Sequence, residues 1–179
     1  QWDFSKMKDL FISGFIGNDW AGVNHRVAAL DTDKKQLTSQ YGSSYPATAN
    51  HRLYFWNLLE EIDLPGESYI DRENKILYFY PPSDTADAQI TAPTFDGVMF
   101  QFSGCKNVTF KGFTCDTTFN RMVMMTGCTN VALEDCIFAH GSTGAITVNG
   151  GKCAVRNCHI YDMGAGGIVV NGGDPNNLT

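Results

Sequence analysis

From Gly97 onward the chain alternates apolar and polar positions in short runs, Val108 and Phe110, Val131 and Leu133, Cys153 and Val155, the period-two signature of strands with one buried face. A second run follows each after a polar or glycine corner: Phe113 and Cys115, Cys136 and Phe138, Cys158 and Ile160. A third precedes the corner glycine, as Ile146 with Val148 or Ile168 with Val170. The pattern repeats, because Gly104, Gly127, Gly150 and Gly172 recur at steps of 23, 23 and 22 residues. Three strands in every ~22 residues, each ~4.8 Å from its own copy, describe the coil of a parallel β-helix. The expected architecture is all-β, with about three to four such coils over 96–179 and a β-rich N-terminal cap over 1–95.

Ser103, Thr126, Asn149 and Asn171 share one column beside the glycines. Small polar side chains stacked at a bend can pass hydrogen bonds along the coil axis and satisfy corner backbone groups, so this column is expected to be structural. The six cysteines follow the repeat. Cys105 and Cys128 lie one period apart, as do Cys136 and Cys158, and Cys153 takes the column of Val108 and Val131. They are expected to be reduced thiols acting as small hydrophobes. The spacings contain no CxxC knuckle, so no metal is expected.

The first 95 residues lack the period. Val27 to Leu30 and Gln36 to Ser39 flank a polar Asp31–Lys35 turn, and Ser68 to Ile70 and Ile76 to Tyr80 flank a second at Asp71–Lys75, predicting two β-hairpins. Between them Tyr54 to Ile62 reads as a short helix stopped by Pro65-Gly66, with Leu58, Leu59 and Ile62 facing inward. Such a cap is expected to cover the first coil, whose open strand edges and apolar rungs would otherwise pair with another molecule.

Composition narrows the partners. Thirteen Lys and Arg against nineteen Asp and Glu give a net charge of −6, which argues against a phosphate-binding surface and hence against nucleic acid. No apolar run approaches the ~20 residues of a membrane helix. The sequence opens at Gln1 without an initiator Met or a basic, apolar leader, and it stops just after a repeat has begun. Read alone, this predicts a mature or excised piece, with self-association through an open C-terminal coil. There is no GxSxG elbow, P-loop, HExxH or dinucleotide fingerprint, and no cofactor is expected.

The stretch Asn57-Leu58-Leu59-Glu60-Glu61-Ile62-Asp63-Leu64-Pro65-Gly66-Glu67-Ser68-Tyr69-Ile70-Asp71-Arg72, running on to Leu77-Tyr78-Phe79-Tyr80-Pro81-Pro82, resembles a block preceding the coils in bacterial right-handed β-helix carbohydrate-active enzymes. The likeness is greatest to glycoside hydrolases grouped with family 141, which act on fucosylated or xylose-containing plant polysaccharides. Gly172-Gly173-Asp174 with Leu178-Thr179 resembles a later block of the same proteins, and Ser68 departs from their usual Trp. The resemblance implies a secreted, periplasmic or cell-surface glycoside hydrolase of right-handed β-helix fold, with polysaccharide or oligosaccharide as partner. It also implies further coils after Thr179 that carry the catalytic carboxylates. A polysaccharide lyase and a non-catalytic carbohydrate-binding or structural β-helix are the competing readings.

Glycoside hydrolysis uses two carboxyl groups ~5 to 9 Å apart, and in a β-helix these come from outward positions on neighbouring coils. If Cys115, Phe138 and Ile160 point inward, then Asp116, Ala139 and Tyr161 point outward with His159, and Thr117, His140 and Asp162 follow at the corner. In β-helical pectin-degrading enzymes, by resemblance, this strand and its following turn line the groove. The expected substrate-binding residues are therefore His140, His159, Tyr161 and Asp162, with Asp162 the catalytic candidate. Only one carboxylate, Asp162, is expected close to the two histidines, with Asp116 two coils away, so no complete acid–base pair is visible. Asp174, Glu134 and Asp135 are expected to be turn or solvated residues, and Trp2, Trp20 and Trp56 to fill the cap's apolar interface or to stack on sugar. His25 and His51 show no partner.

Overall fold

The computed structural model describes residues 7, 9–42 and 45–172. Trp2, Asp174 and the Leu178-Thr179 end of the resemblance lie outside them. The chain divides into two units, Gln1–Gln89 and Ile90–Thr179.

The first unit is antiparallel. Strands β1 (Phe11–Gly14), β2 (Val23–Asp31), β3 (Gln36–Ser39) and β4 (Leu53–Trp56) form a sheet in the order β3-β2-β1-β4, and β5 (Ser68–Asp71) pairs with β6 (Ile76–Phe79). Both predicted hairpins form, and their turns use one chemistry. Asp31 Oδ1 accepts the Lys34 N–H at 2.9 Å, and Asp71 Oδ1 accepts the Asn74 N–H at 2.9 Å. Lys35 and Lys75 then close the turns at φ of +53° and +59°.

The helix expected over Tyr54 to Ile62 is replaced by β4 and a single 3-10 turn at Leu59–Glu61. Two forces override the helical spacing. Leu53–Trp56 is rich in aromatics and gains a full antiparallel partner in β1, and Asn57 then leaves the strand at φ +61°. The buried Asn57 amide substitutes for a strand by donating to Asp9 O at 3.0 Å and accepting from Ile70 N–H at 2.8 Å. Leu58 is buried, but Leu59 is exposed.

The second unit is built from coils. Sheet one stacks β7 (Phe100–Ser103), β10 (Val123–Thr126), β13 (Ile146–Asn149) and β16 (Ile168–Asn171). Sheet two stacks β8 (Lys106–Lys111), β11 (Thr129–Glu134) and β14 (Lys152–Arg156), and sheet three stacks β9 (Thr114–Thr118), β12 (Ile137–Gly141) and β15 (His159–Met163). Every pairing is parallel, with Val131 opposite both Val108 and Cys153, and the β11–β14 register shifts by one residue between Thr129 and Val131. About three coils are complete, as the repeat predicts.

The core lies on the middle coil and on β13 of the coil that follows it. Met122, Val123, Met125, Leu133, Phe138 and Ile146 have no more than traces of exposed surface, because each is covered by the coils on either side. Below them Phe110 stacks on Phe113 at 4.1 Å and tilts against Phe100 at 4.6 Å. Gly104, Gly127 and Gly150 turn the corner at φ of +62°, +61° and +71°. The polar column beside them carries axial bonds, Asn171 Nδ2 to Asn149 Oδ1 at 3.0 Å and Asn149 Nδ2 to Thr126 Oγ1 at 3.5 Å. All six cysteines are free thiols. Burial pushes the Cys115 thiol up to about 11, so it stays protonated and apolar.

Candidate functional site

Sheet three places the expected groove residues. Cys115, Phe138 and Ile160 are in register and point inward, while Asp116, Ala139 and Tyr161 are in register on the outer side, flanked by Thr114, Ile137 and His159. Ala139 is nonetheless only 1% exposed, because its methyl group sits between the larger Asp116 and Tyr161. The ladder then skips one residue on every coil. Thr117, His140 and Asp162 stand at φ of +53°, +55° and +50°, the left-handed region, and form a bulge in each strand before pairing resumes at Thr118, Gly141 and Met163.

That bulge sets the geometry of the site. His140 is gripped at both ring nitrogens by carboxylates of the neighbouring coils, with Nδ1 at 2.7 Å from Asp116 Oδ1 and Nε2 at 3.7 Å from Asp162 Oδ2. Thr117 Oγ1 donates to the same Asp116 oxygen at 2.9 Å. Tyr161 meets the His140 ring edge to face at 5.6 Å, and His159 lies 4.8 Å from Tyr161. His140, His159, Tyr161 and Asp162 thus share one face. Asp116, which the sequence reading set aside, is the closest partner of all.

The electrostatics follow from these bonds. The hydrogen bond from His140, then that from Thr117, holds the Asp116 carboxyl below its ordinary value of 3.8. The same bond to Asp116 lifts His140 above its ordinary 6.5, opposed by partial desolvation and aided by the charges of Asp116 and Asp162. About half of each side chain of the close pair is exposed, so solvent screens the attraction and both groups remain open to a ligand. A cleft of about 440 Å³ opens beside them, between segment 91–95 and Asp116, Thr117 and Thr118.

Other polar groups serve the coil. Glu134 and Asp135, expected to be merely solvated, join an axial charge ladder. Glu134 binds Arg156 at 2.8 Å, and Asp135 binds Lys111 at 3.0 Å and Asn157 at 2.6 Å. His51 has Asp19 at 3.2 Å, and His25 packs edge-on to Tyr41 at 6.4 Å. Among the described residues no cluster of three or more His, Cys, Asp or Glu is placed to hold a metal ion, and no helix is long and apolar enough to cross a membrane.

Residues 82–179, more than half of the chain, match the family described as the right-handed β-helix region. The chain belongs to the right-handed β-helix family. No curated protein and no solved structure matches it. Membership agrees with a polysaccharide-related or a structural role for this β-helix protein.

Proposed function

We propose that the outer face of β9, β12 and β15 is the glycan-binding face of a secreted bacterial glycoside hydrolase acting on fucosylated or xylose-containing plant polysaccharides. The observation that carries this reading is the Asp116–His140–Asp162 column beside an open cleft, with Tyr161 and His159 presenting rings along the same face. Rings cover the apolar faces of sugars and carboxylates accept their hydroxyls. The resemblance of the 57–82 block supports the substrate class.

Asp116 and Asp162 sit two coils apart, ~9.6 Å along the axis, and both lean on His140, within reach of the ~6.5–9.5 Å separation that inverting hydrolysis uses. Asp116, kept ionised by His140 and Thr117, fits the base that activates water. Asp162, the more exposed and more loosely held carboxylate, is the second member of the pair. The imidazole fills the space that the scissile bond and water require, so glycan must displace it and turnover by this chain alone is slow. No outward position of these strands, Thr114, Asp116, Ile137, Ala139, His159 or Tyr161, is Lys or Arg, which disfavours a uronate substrate and hence a lyase.

The test is incubation of the chain with fucosylated, xylan and uronate polysaccharides. Slow release of reducing ends without unsaturated products, abolished by Asp116→Asn and Asp162→Asn, is the expected outcome. Unsaturated ends would establish elimination instead, and binding without products would establish a non-catalytic role.

A further inference from the structure

The two described tryptophans have different fates. Trp56 is used by the fold, stacking on Phe11 at 4.4 Å and donating its Nε1–H to Ser13 Oγ at 2.9 Å. Trp20 is 73% exposed and touches Tyr45 edge-on at 5.2 Å. A single exposed aromatic needs no explanation. Here, however, Tyr45 is also a wall of a cavity of about 430 Å³ in the first unit, within the ~300–1,000 Å³ usual for small-ligand sites.

The cavity joins an apolar floor to polar groups. Ile12, Leu37 and Leu53 supply the floor, and Ser39, Thr48 and His51 supply donors and acceptors. Its wall is fixed in place. Thr48 N–H donates to Ile16 O at 2.9 Å, and Gly17 lies so close beneath the wall that an added Cβ would stand 2.8 Å from both Pro46 O and Tyr45 Cβ. His51 Nδ1 is 3.2 Å from the fully projecting Asp19, the chain neighbour of Trp20.

We propose that Trp20, Tyr45 and His51, with this cavity, form a binding site for a neutral sugar residue of an oligosaccharide, separate from the coil face. A pyranose has an apolar C–H face and a rim of hydroxyls. The indole matches the first, and Asp19, His51, Thr48 and Ser39 match the second. No Lys or Arg lines the cavity, so the site suits a neutral sugar over an anionic one. The inference stands on the first unit alone and does not require catalysis on the coils.

The experiment titrates the isotopically labelled full chain with neutral xylo- and cello-oligosaccharides and with an oligogalacturonate, following the Trp20 indole N–H resonance, which is assigned with Trp20→Phe. Neutral oligosaccharides should shift it saturably. Affinities of the variants are read by calorimetric titration, since Trp20→Ala lacks the reporter: Trp20→Ala and Tyr45→Ala should each weaken this binding about tenfold, and Gly17→Ala should weaken it by pushing the wall outward, while His140→Ala leaves it unchanged. The proposal is overturned if no neutral oligosaccharide moves the resonance, if the uronate binds more tightly, or if the Trp20 and Tyr45 variants bind as wild type. Binding lost only in His140→Ala would also overturn it, while leaving the coil-face reading intact.

Discussion

His140 stands at a bulge within its strand, and its left-handed backbone is what lets one imidazole reach carboxylates on both neighbouring coils. Its titration should therefore lie above the ordinary 6.5, and Asp116→Asn should bring it down, as read from the imidazole proton shifts against pH. The sign for folding follows. The raised His140 contributes stability that is complete below its unfolded value and is lost as pH rises through the raised one. The lowered Asp116 contributes above 3.8 and fades as pH falls through its depressed value. The pair thus acts between those limits, and the double variant Asp116→Asn/His140→Gln should flatten the pH dependence of the melting temperature inside that window. The outward placing of Tyr161 was legible from strand alternation, and that of His140 and Asp162 from their place at the following corner. The role of Asp116 was not, because strict alternation pairs residue 116 with Ala139, whereas the left-handed turn swings the following residue, His140, back across to it.

At the scale of elements, corners decide how coils fit. The step shortens from 23 to 22 because the third coil lacks a counterpart of Asn130: Thr129 faces Lys152, but Val131 faces Cys153. On the two longer coils Asn130 and Asn107 face each other at φ of +54° and +55°, with their amides bonded at 2.9 Å. The shorter corner brings Gly151, at φ +85°, onto the coil below, where an added Cβ would lie 1.7 Å from Cys128 O. Gly151→Ala is expected to cost about 2 kcal/mol or more in denaturant unfolding. Gly166→Ala, with open space around it, should be neutral or stabilising by about 0.5 kcal/mol. Leu133→Ala, which empties a fully buried position, should cost about 3 kcal/mol. The coil strands were legible because each has its own alternation and a copy one period away. The Tyr54–Ile62 segment does not form the expected helix because its spacing also suits a strand, and the partner of that strand, β1, lies about 40 residues earlier.

At the scale of the molecule, the coil unit is held by ladders that run along one axis: apolar rungs inside, amides at one corner and alternating charges at another. Lys111, Glu134 and Arg156 occupy one column in the order positive, negative, positive, so a slip of one coil would set like charges together. The apolar rungs and the amide column were visible in the sequence as columns of the repeat, whereas the charge ladder was not: Glu134 and Asp135 read as solvated residues, because their partners lie one coil away. Both the fold and the site require that the segments stack in parallel register. The direct test is a through-space proton NMR map of the labelled chain. Backbone contacts from Val131 to both Val108 and Cys153, with matching contacts from Phe138 to Cys115 and Ile160, are the predicted result. Antiparallel cross-peaks, or Val131 in contact with neither neighbour, would contradict the stacking and dissolve the Asp116–His140–Asp162 column with it.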